Sequence, residues 1–226
     1  MRRIARGEQG RLAVAFTSSA AAHAFTPLAL RACHTRYPDI ALELSEANAA
    51  EITDGVAQAR LHCGLLRVPV SRPEGVTLEH LIDEPAVLAL PLDHRLAGKP
   101  GPVQITALRG ESLVLVRRPG APGLYANLLA RCTEAGVAPR VVAEVDRMMT
   151  NLNLVAAGVG LSVVPASMQG AHPHAIAYRP LARSAGLEAP LTLAWRAADC
   201  MGPTATFIAL VRDIAAQRAR PARSRR

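Results

Sequence analysis

Residues 144–165 read EVDRMMTNLNLVAAGVGLSVVP: a polar start, an apolar run, Gly158-Val159-Gly160, then a β-branched stretch closed by Pro165. This order describes a helix that turns back into a strand, the return unit of an α/β domain. Gly158 can end a helix in the left-handed conformation at no steric cost, and Gly160 is expected to let the turn reverse before Val163 and Val164. Such a unit needs a central sheet to pack on. Its helix start also carries Thr150 and Asn151 beside backbone N–H groups that have no intrahelical partner.

Outward from this unit the same cycle recurs. Leu12 to Phe16 reads as a strand, and Ala22 to Arg36 as a helix whose first turns are disturbed by Pro27. Tyr37-Pro38-Asp39 makes a turn, Ile40 to Leu44 a second strand, 49–59 a second helix, and Cys63 to Leu66 a short apolar third strand. An extended segment, 76–90, holds two apolar runs split by Asp83-Glu84-Pro85. The cycle then restarts with strand 113–116, helix 124–134, strand 140–145, helix 148–157 and strand 161–164. Continuous apolar strands separated by helices argue for parallel sheets covered on both faces. Strand 191–195 and helix 203–217 are expected to return to the first unit. The expected division is therefore 10–84 with 187–218 as one lobe and 85–186 as the other, with a cleft between them.

The chain has 226 residues, 50% of them hydrophobic, enough to bury a full core. Its formal charge of +8 is concentrated at the ends. Residues 1–11 hold four arginines against one glutamate, 212–226 hold six against one aspartate, and the segment between is neutral. A basic nucleic-acid face on the folded body is therefore not supported, and 3% aromatic content offers few stacking platforms. Residues 219–226 read as a basic disordered tail. Cys33, Cys63, Cys132 and Cys200 stand singly near apolar stretches and read as buried small hydrophobes in a reducing cytosol. His172-Pro173-His174 lacks a third ligand at regular spacing, so a loop pair rather than a metal site is expected. The apolar run after the N-terminal arginines is too short for a signal core, and no segment is long enough to span a membrane. A cytoplasmic protein without metal or cofactor is expected.

Two lobes would place the carboxyl ends of their strands on a shared crevice, where ligands sit in open α/β sheets. Thr17-Ser18-Ser19 follows the first strand, either as a helix cap or as a hydroxyl cradle for a carboxylate, roles that are compatible. Pro122-Gly123-Leu124 and Met148-Met149-Thr150 occupy the equivalent helix starts of the second lobe, where initiation and core packing are the plain alternatives. Arg67 ends the third strand, either as a solvated surface ion pair or as a bidentate clamp on an organic acid. No nucleophile elbow, phosphate loop or dinucleotide fingerprint occurs, and Gly158-Val159-Gly160 follows a helix, not a strand. Binding without chemistry is expected rather than catalysis.

RGEQGRLAVAF at 6–16, RYPDIALEL at 36–44 and LVAAGVGLSVVP at 154–165 together resemble the effector-binding domain of LysR-type transcriptional regulators, over roughly residues 6–215. The resemblance implies two Rossmann-like subdomains built like type 2 periplasmic binding proteins, with a small organic-acid effector, aromatic or dicarboxylic, held between them. It implies ligand contacts from the loop Thr17 to Ser19, and from Arg67 as in the branch that senses aromatic-degradation metabolites. His62 stands where that family usually has Asp, and Ala49 where a hydroxyl is frequent, so the effector's identity does not carry over. The serine loop is one residue longer than usual, leaving open which serine faces the ligand. The family also implies homodimers through these domains, tetramers in the full-length parent, and DNA contact only through an N-terminal winged helix-turn-helix. Residues 1–9 resemble the end of the linker helix behind that module. Apolar stretches 25–32 and 124–130 are the candidate dimer faces. A solute-binding protein of a transport system is the second reading, since the two classes share an architecture.

Overall fold

The first strand, β1 (Gly10–Phe16), buries Leu12, Val14 and Ala15 completely. It pairs in parallel with β2 (Ile40–Glu46) on one side and β3 (Cys63–Arg67) on the other. Parallel neighbours need crossovers. The first runs through a short turn of helix, α1 (Ser18–Ala21), and α2 (Phe25–Arg36), the second through α3 (Ala49–Ala57). The computed structural model that shows this describes residues 7–117 and 120–219. The linker-helix end expected over 1–9 and the tail expected over 219–226 therefore fall mostly outside the described residues.

The sheet is completed by β4 (Val76–Ile82) and β10 (Leu191–Arg196), in the order β2-β1-β3-β10-β4, with β10 antiparallel to both of its neighbours. Both faces are covered, as the apolar β3 demands. Leu12, Val14 and Leu65 pack with Phe25 of α2 and with Phe207 and Val211 of α6 (Gly202–Ala219), while Ala15, Leu66 and Ala194 pack against Ile52 of α3. Gly64 makes the second contact possible, because a Cβ there would lie 2.1 Å from Ile52 Cγ2.

The second lobe repeats this plan. β6 (Ser112–Val116) and β7 (Arg140–Val145) pair in parallel, and β5 (Ala86–Pro91) lies antiparallel between β8 (Ser162–Pro165) and β9 (Ile176–Pro180). The bridge Leu113↔Leu161 joins the two groups, giving the sequence β7-β6-β8-β5-β9 with β5 in the place β10 holds in the first sheet. Leu88 and Leu90 face α4 (Gly123–Glu134), whereas Val87 and Ala89 face α5 (Met148–Ala156). The chain crosses between lobes at 83–85 and again before Leu191, with Leu187 and Ala189 packed in the second core.

Several expectations change. The helix expected from 22 to 36 starts only at Phe25, because residues 22–24 turn between α1 and α2, and Pro27 sits in the first turn of α2, where its missing N–H costs nothing. β9, IAYRP, went unforeseen: it lacks strict alternation, since Arg179 is buried and donates to the carbonyls of Leu96, Ala97 and Gly101. Gly158 is left-handed at φ 77° as expected. Gly160 serves a different purpose from reversing the turn: a Cβ there would meet Ser112 O at 2.7 Å. Cys33, Cys63 and Cys132 are buried, but Cys200 is exposed in the turn before α6, where no neighbouring element covers it. Among the described residues no helix is long and apolar enough to cross a membrane.

Candidate functional site

The carboxyl ends of β1, β3 and β6 open onto one cleft between the lobes. Its walls are mainly apolar, with Val116, Leu124, Tyr125 and Met148 from the second lobe facing Ala47 and Ala49 from the first. Polar groups enter from the loop after β1. Thr17 N donates to Leu65 O at 3.1 Å, which ties the loop to β3, and Thr17 Oγ1 caps α1 by accepting from Ala20 N at 3.2 Å. Ser19 Oγ lies 3.3 Å from Thr17 Oγ1. Ser18 Oγ accepts from Met148 N at 3.3 Å, a hydrogen bond that spans the two lobes. Each hydroxyl that accepts in this way keeps its own O–H to donate.

Arg67 differs from both sequence readings. It is neither solvated nor free to clamp: its guanidinium is buried and lies 2.6 Å from the buried carboxylate of Glu84. It also donates to Ala189 O and, at 3.1 Å, to Ser19 O. The reason is tertiary. Glu84 lies in the first crossover between lobes and Ala189 in the second, Ala189 N donates to Glu84 O at 2.8 Å, and both meet the end of β3. Glu84 also accepts from Ser167 N, so the carboxylate ties both lobes together. Burial pulls the Arg67 pKa down and Glu84 opposes that shift. His23 Nε2 lies 3.7 Å from Glu84, and burial lowers its pKa despite that carboxylate.

Of the remaining expected site residues, Gly123, Leu124 and Met148 line the cleft. Pro122, Met149 and Thr150 are not among the lining residues. Pro122 caps α4, and at about 100° per residue the two residues after Met148 rotate off the cleft face, leaving Met149 and Thr150 exposed. Asn151 is fully buried and donates to Val114 O at 2.9 Å, so it ties α5 to β6 and leaves the cleft to others. The structure adds Asn48, Arg147 and Tyr125, which sequence reasoning passed over. Asn48 had a legible signal, the N-x-x-E spacing of a capping box: its Oδ1 accepts from Glu51 N and Glu51 Oε2 accepts from Asn48 N. Arg147 had none, because its role depends on Glu46 and Glu51 of the opposite lobe, 3.9 and 3.7 Å away. His172 bonds to Asn153, and no cluster of metal-ligand type occurs among the described residues.

A LysR substrate binding domain model matches residues 5–216 of the chain. The HTH-type transcriptional regulator AlsR of Bacillus subtilis is 31% identical over 79% of this chain and 58% of its own length. BudR of Raoultella terrigena, also an HTH-type transcriptional regulator, is 31% identical over 85% of this chain and 66% of its own. The chain thus spans 58 to 66% of these relatives. Among solved structures, CbnR, a LysR family transcriptional regulator, superposes with a TM-score of 0.77 at 28% identity, over 93% of this chain and 72% of its own. The BenM effector binding domain with its effector benzoate shares the fold, with a TM-score of 0.76 at 24% identity over 94% of this chain and 96% of its own.

Proposed function

Because the chain belongs to the LysR substrate-binding domain family, we propose that it is the effector-sensing part of a cytoplasmic transcriptional regulator and binds a small organic anion between its lobes. The proposed lobes are 10–84 with 187–218, and 85–186, with Leu187 and Ala189 of the return crossover packed in the second core. The observation that carries this reading is the cleft itself: an apolar cleft into which one loop brings three hydroxyls, Thr17, Ser18 and Ser19. An apolar pocket with a few convergent donors selects a small molecule with an anionic head and an apolar body. Arg67 contributes through its Nε, which is buried without a hydrogen-bond partner, while the rest of its guanidinium serves Glu84 and the crossovers. Gly123, Leu124 and Met148 close the far wall, while Pro122, Met149 and Thr150 lie outside it.

DNA contact belongs to a helix-turn-helix of the parent protein, in keeping with relatives that are HTH-type transcriptional regulators, and the ligand acts by biasing how the lobes sit. The relatives found are regulators, which favours this reading over a transport solute-binding protein. Pairing of copies would use α2, where Leu28 is 39% exposed, rather than Leu124 and Leu128, which are spent in their own core. Sedimentation at high micromolar concentration should then show a dimer, and a monomer there would remove that assembly.

Calorimetry with a panel of short aliphatic and aromatic carboxylates tests the ligand reading. At least one should bind, and Ser19→Ala should weaken it about three- to tenfold, because the first backbone amides of α1 and the neighbouring hydroxyls still donate. Arg67→Ala is a poor probe, since it strands the buried Glu84. If no acid binds at millimolar concentration, the assignment of the cleft fails.

A further inference from the structure

We infer that the cleft has a second recognition point, formed by Asn48 and Arg147, that takes an uncharged oxygen acceptor, so that the effector is a monoanionic acid carrying a keto, hydroxyl or amide oxygen away from its carboxylate. This rests on the cleft being the ligand site. Asn48 is 7% exposed, lines the cleft and begins α3. Its capping box decides which way the amide lies: Oδ1 accepts from Glu51 N at 3.0 Å, which leaves Nδ2 as the outer group. That Nδ2 is buried and has no hydrogen-bond partner.

Arg147 stands opposite, as the residue before α5, and its Nη1 is likewise buried without a hydrogen-bond partner. Buried donors left unpaired cost free energy, and three of them, Asn48 Nδ2, Arg147 Nη1 and Arg67 Nε, belong to residues lining this one cleft. A molecule that brings acceptors to more than one point satisfies them. The buried acceptors without a hydrogen bond among the described residues, Asn151 Oδ1 and Glu84 Oε2, the latter ion-paired with Arg67, belong to residues outside the cleft lining.

Charge decides what kind of acceptor fits. At the hydroxyl loop Arg67 is balanced by Glu84, so a carboxylate meets neutral donors and no excess of negative charge. At the second point one guanidinium faces two carboxylates, Glu46 and Glu51, at 3.9 and 3.7 Å. A second anionic group there would add a third negative charge around a single cation, whereas a neutral oxygen accepts from Asn48 and Arg147 without that repulsion.

Titration calorimetry with matched acids tests the inference: pentanoate, 4-oxopentanoate and glutarate, together with benzoate, 4-hydroxybenzoate and terephthalate. In at least one set the oxo or hydroxy acid should bind about tenfold or more tightly than both the plain acid and the diacid. Asn48→Ser keeps an oxygen for the helix cap but lacks the amide donor. In this variant the favoured acid should bind about as weakly as the plain acid binds the unaltered chain. Arg147→Lys, which leaves the cap untouched, should narrow the same preference, and a melting curve confirms that each variant is folded. Equal affinities within both sets, a preference for the diacid, or a preference that survives in folded Asn48→Ser overturns the inference while leaving the cleft as the ligand site. Failure of every acid to bind overturns both.

Discussion

Replacing Glu84 with alanine should lower the unfolding free energy by about 3 to 5 kcal/mol, because it leaves the Arg67 guanidinium buried without its counter-charge. Arg67 is 7% exposed and Glu84 4%, so water cannot replace the lost partner without opening the junction of the two lobes. Ser167 N loses its acceptor in the same step. Glu84→Gln keeps the volume and one acceptor oxygen but removes the charge, and should retain only part of the loss. Combining Glu84→Gln with Arg67→Met should recover much of the stability, since the dominant cost is the stranded ion rather than the missing bond. Urea unfolding curves of the three variants measure this. A loss below about 1 kcal/mol in Glu84→Ala would mean that the pair is solvated and that the two crossovers are not tied through it.

Gly160→Ala should be the costlier of the two glycine changes at this turn, at about 3 kcal/mol. The added Cβ would stand 2.7 Å from Ser112 O and 3.0 Å from Ser112 C, both backbone atoms that cannot swing aside. Ser112 O accepts from Leu161 N at 2.8 Å, and Val114 N donates to Leu161 O at 2.8 Å, so relief of the clash must separate β6 from β8. Gly158→Ala makes the useful contrast. Nothing lies within 4 Å of its Cβ position, and only the left-handed φ of 77° is strained, at about 1 kcal/mol. Thermal unfolding should therefore rank Gly160→Ala well below Gly158→Ala. The reverse order would show that backbone conformation, not the approach of β6, decides this turn.

Much of the fold was legible because its strands and helices are set by short-range pattern. The apolar run CGLL, continuous rather than alternating, already requires cover on both faces, and the glycine after α5 already requires a left-handed turn. β9 escaped because its stability comes from pairing with β5 and from an arginine anchored on distant carbonyls, neither of which leaves a local period. At the cleft, the hydroxyls of Thr17 to Ser19 were legible from their place after β1. Arg67 was found as a residue of interest, but its engagement with Glu84 was not, since the two are 17 positions apart and meet only because a crossover passes the end of β3.

The sequence alone determined that the chain is an α/β protein of two similar units, that its charge lies at its ends, and that it resembles a family of sensory domains. Those properties follow from composition, from periodicity and from glycine and proline placement, all of which act over a few residues. Only the tertiary structure decided which polar groups share the cleft and what each has left to offer. Partners that engage a hydroxyl or a guanidinium at the cleft come from opposite lobes: Ser18 with Met148, and Arg147 with Glu46 and Glu51. Hydrogen-bonding capacity is spent in space, so the donors that remain for a ligand can be counted only once the two lobes are brought together.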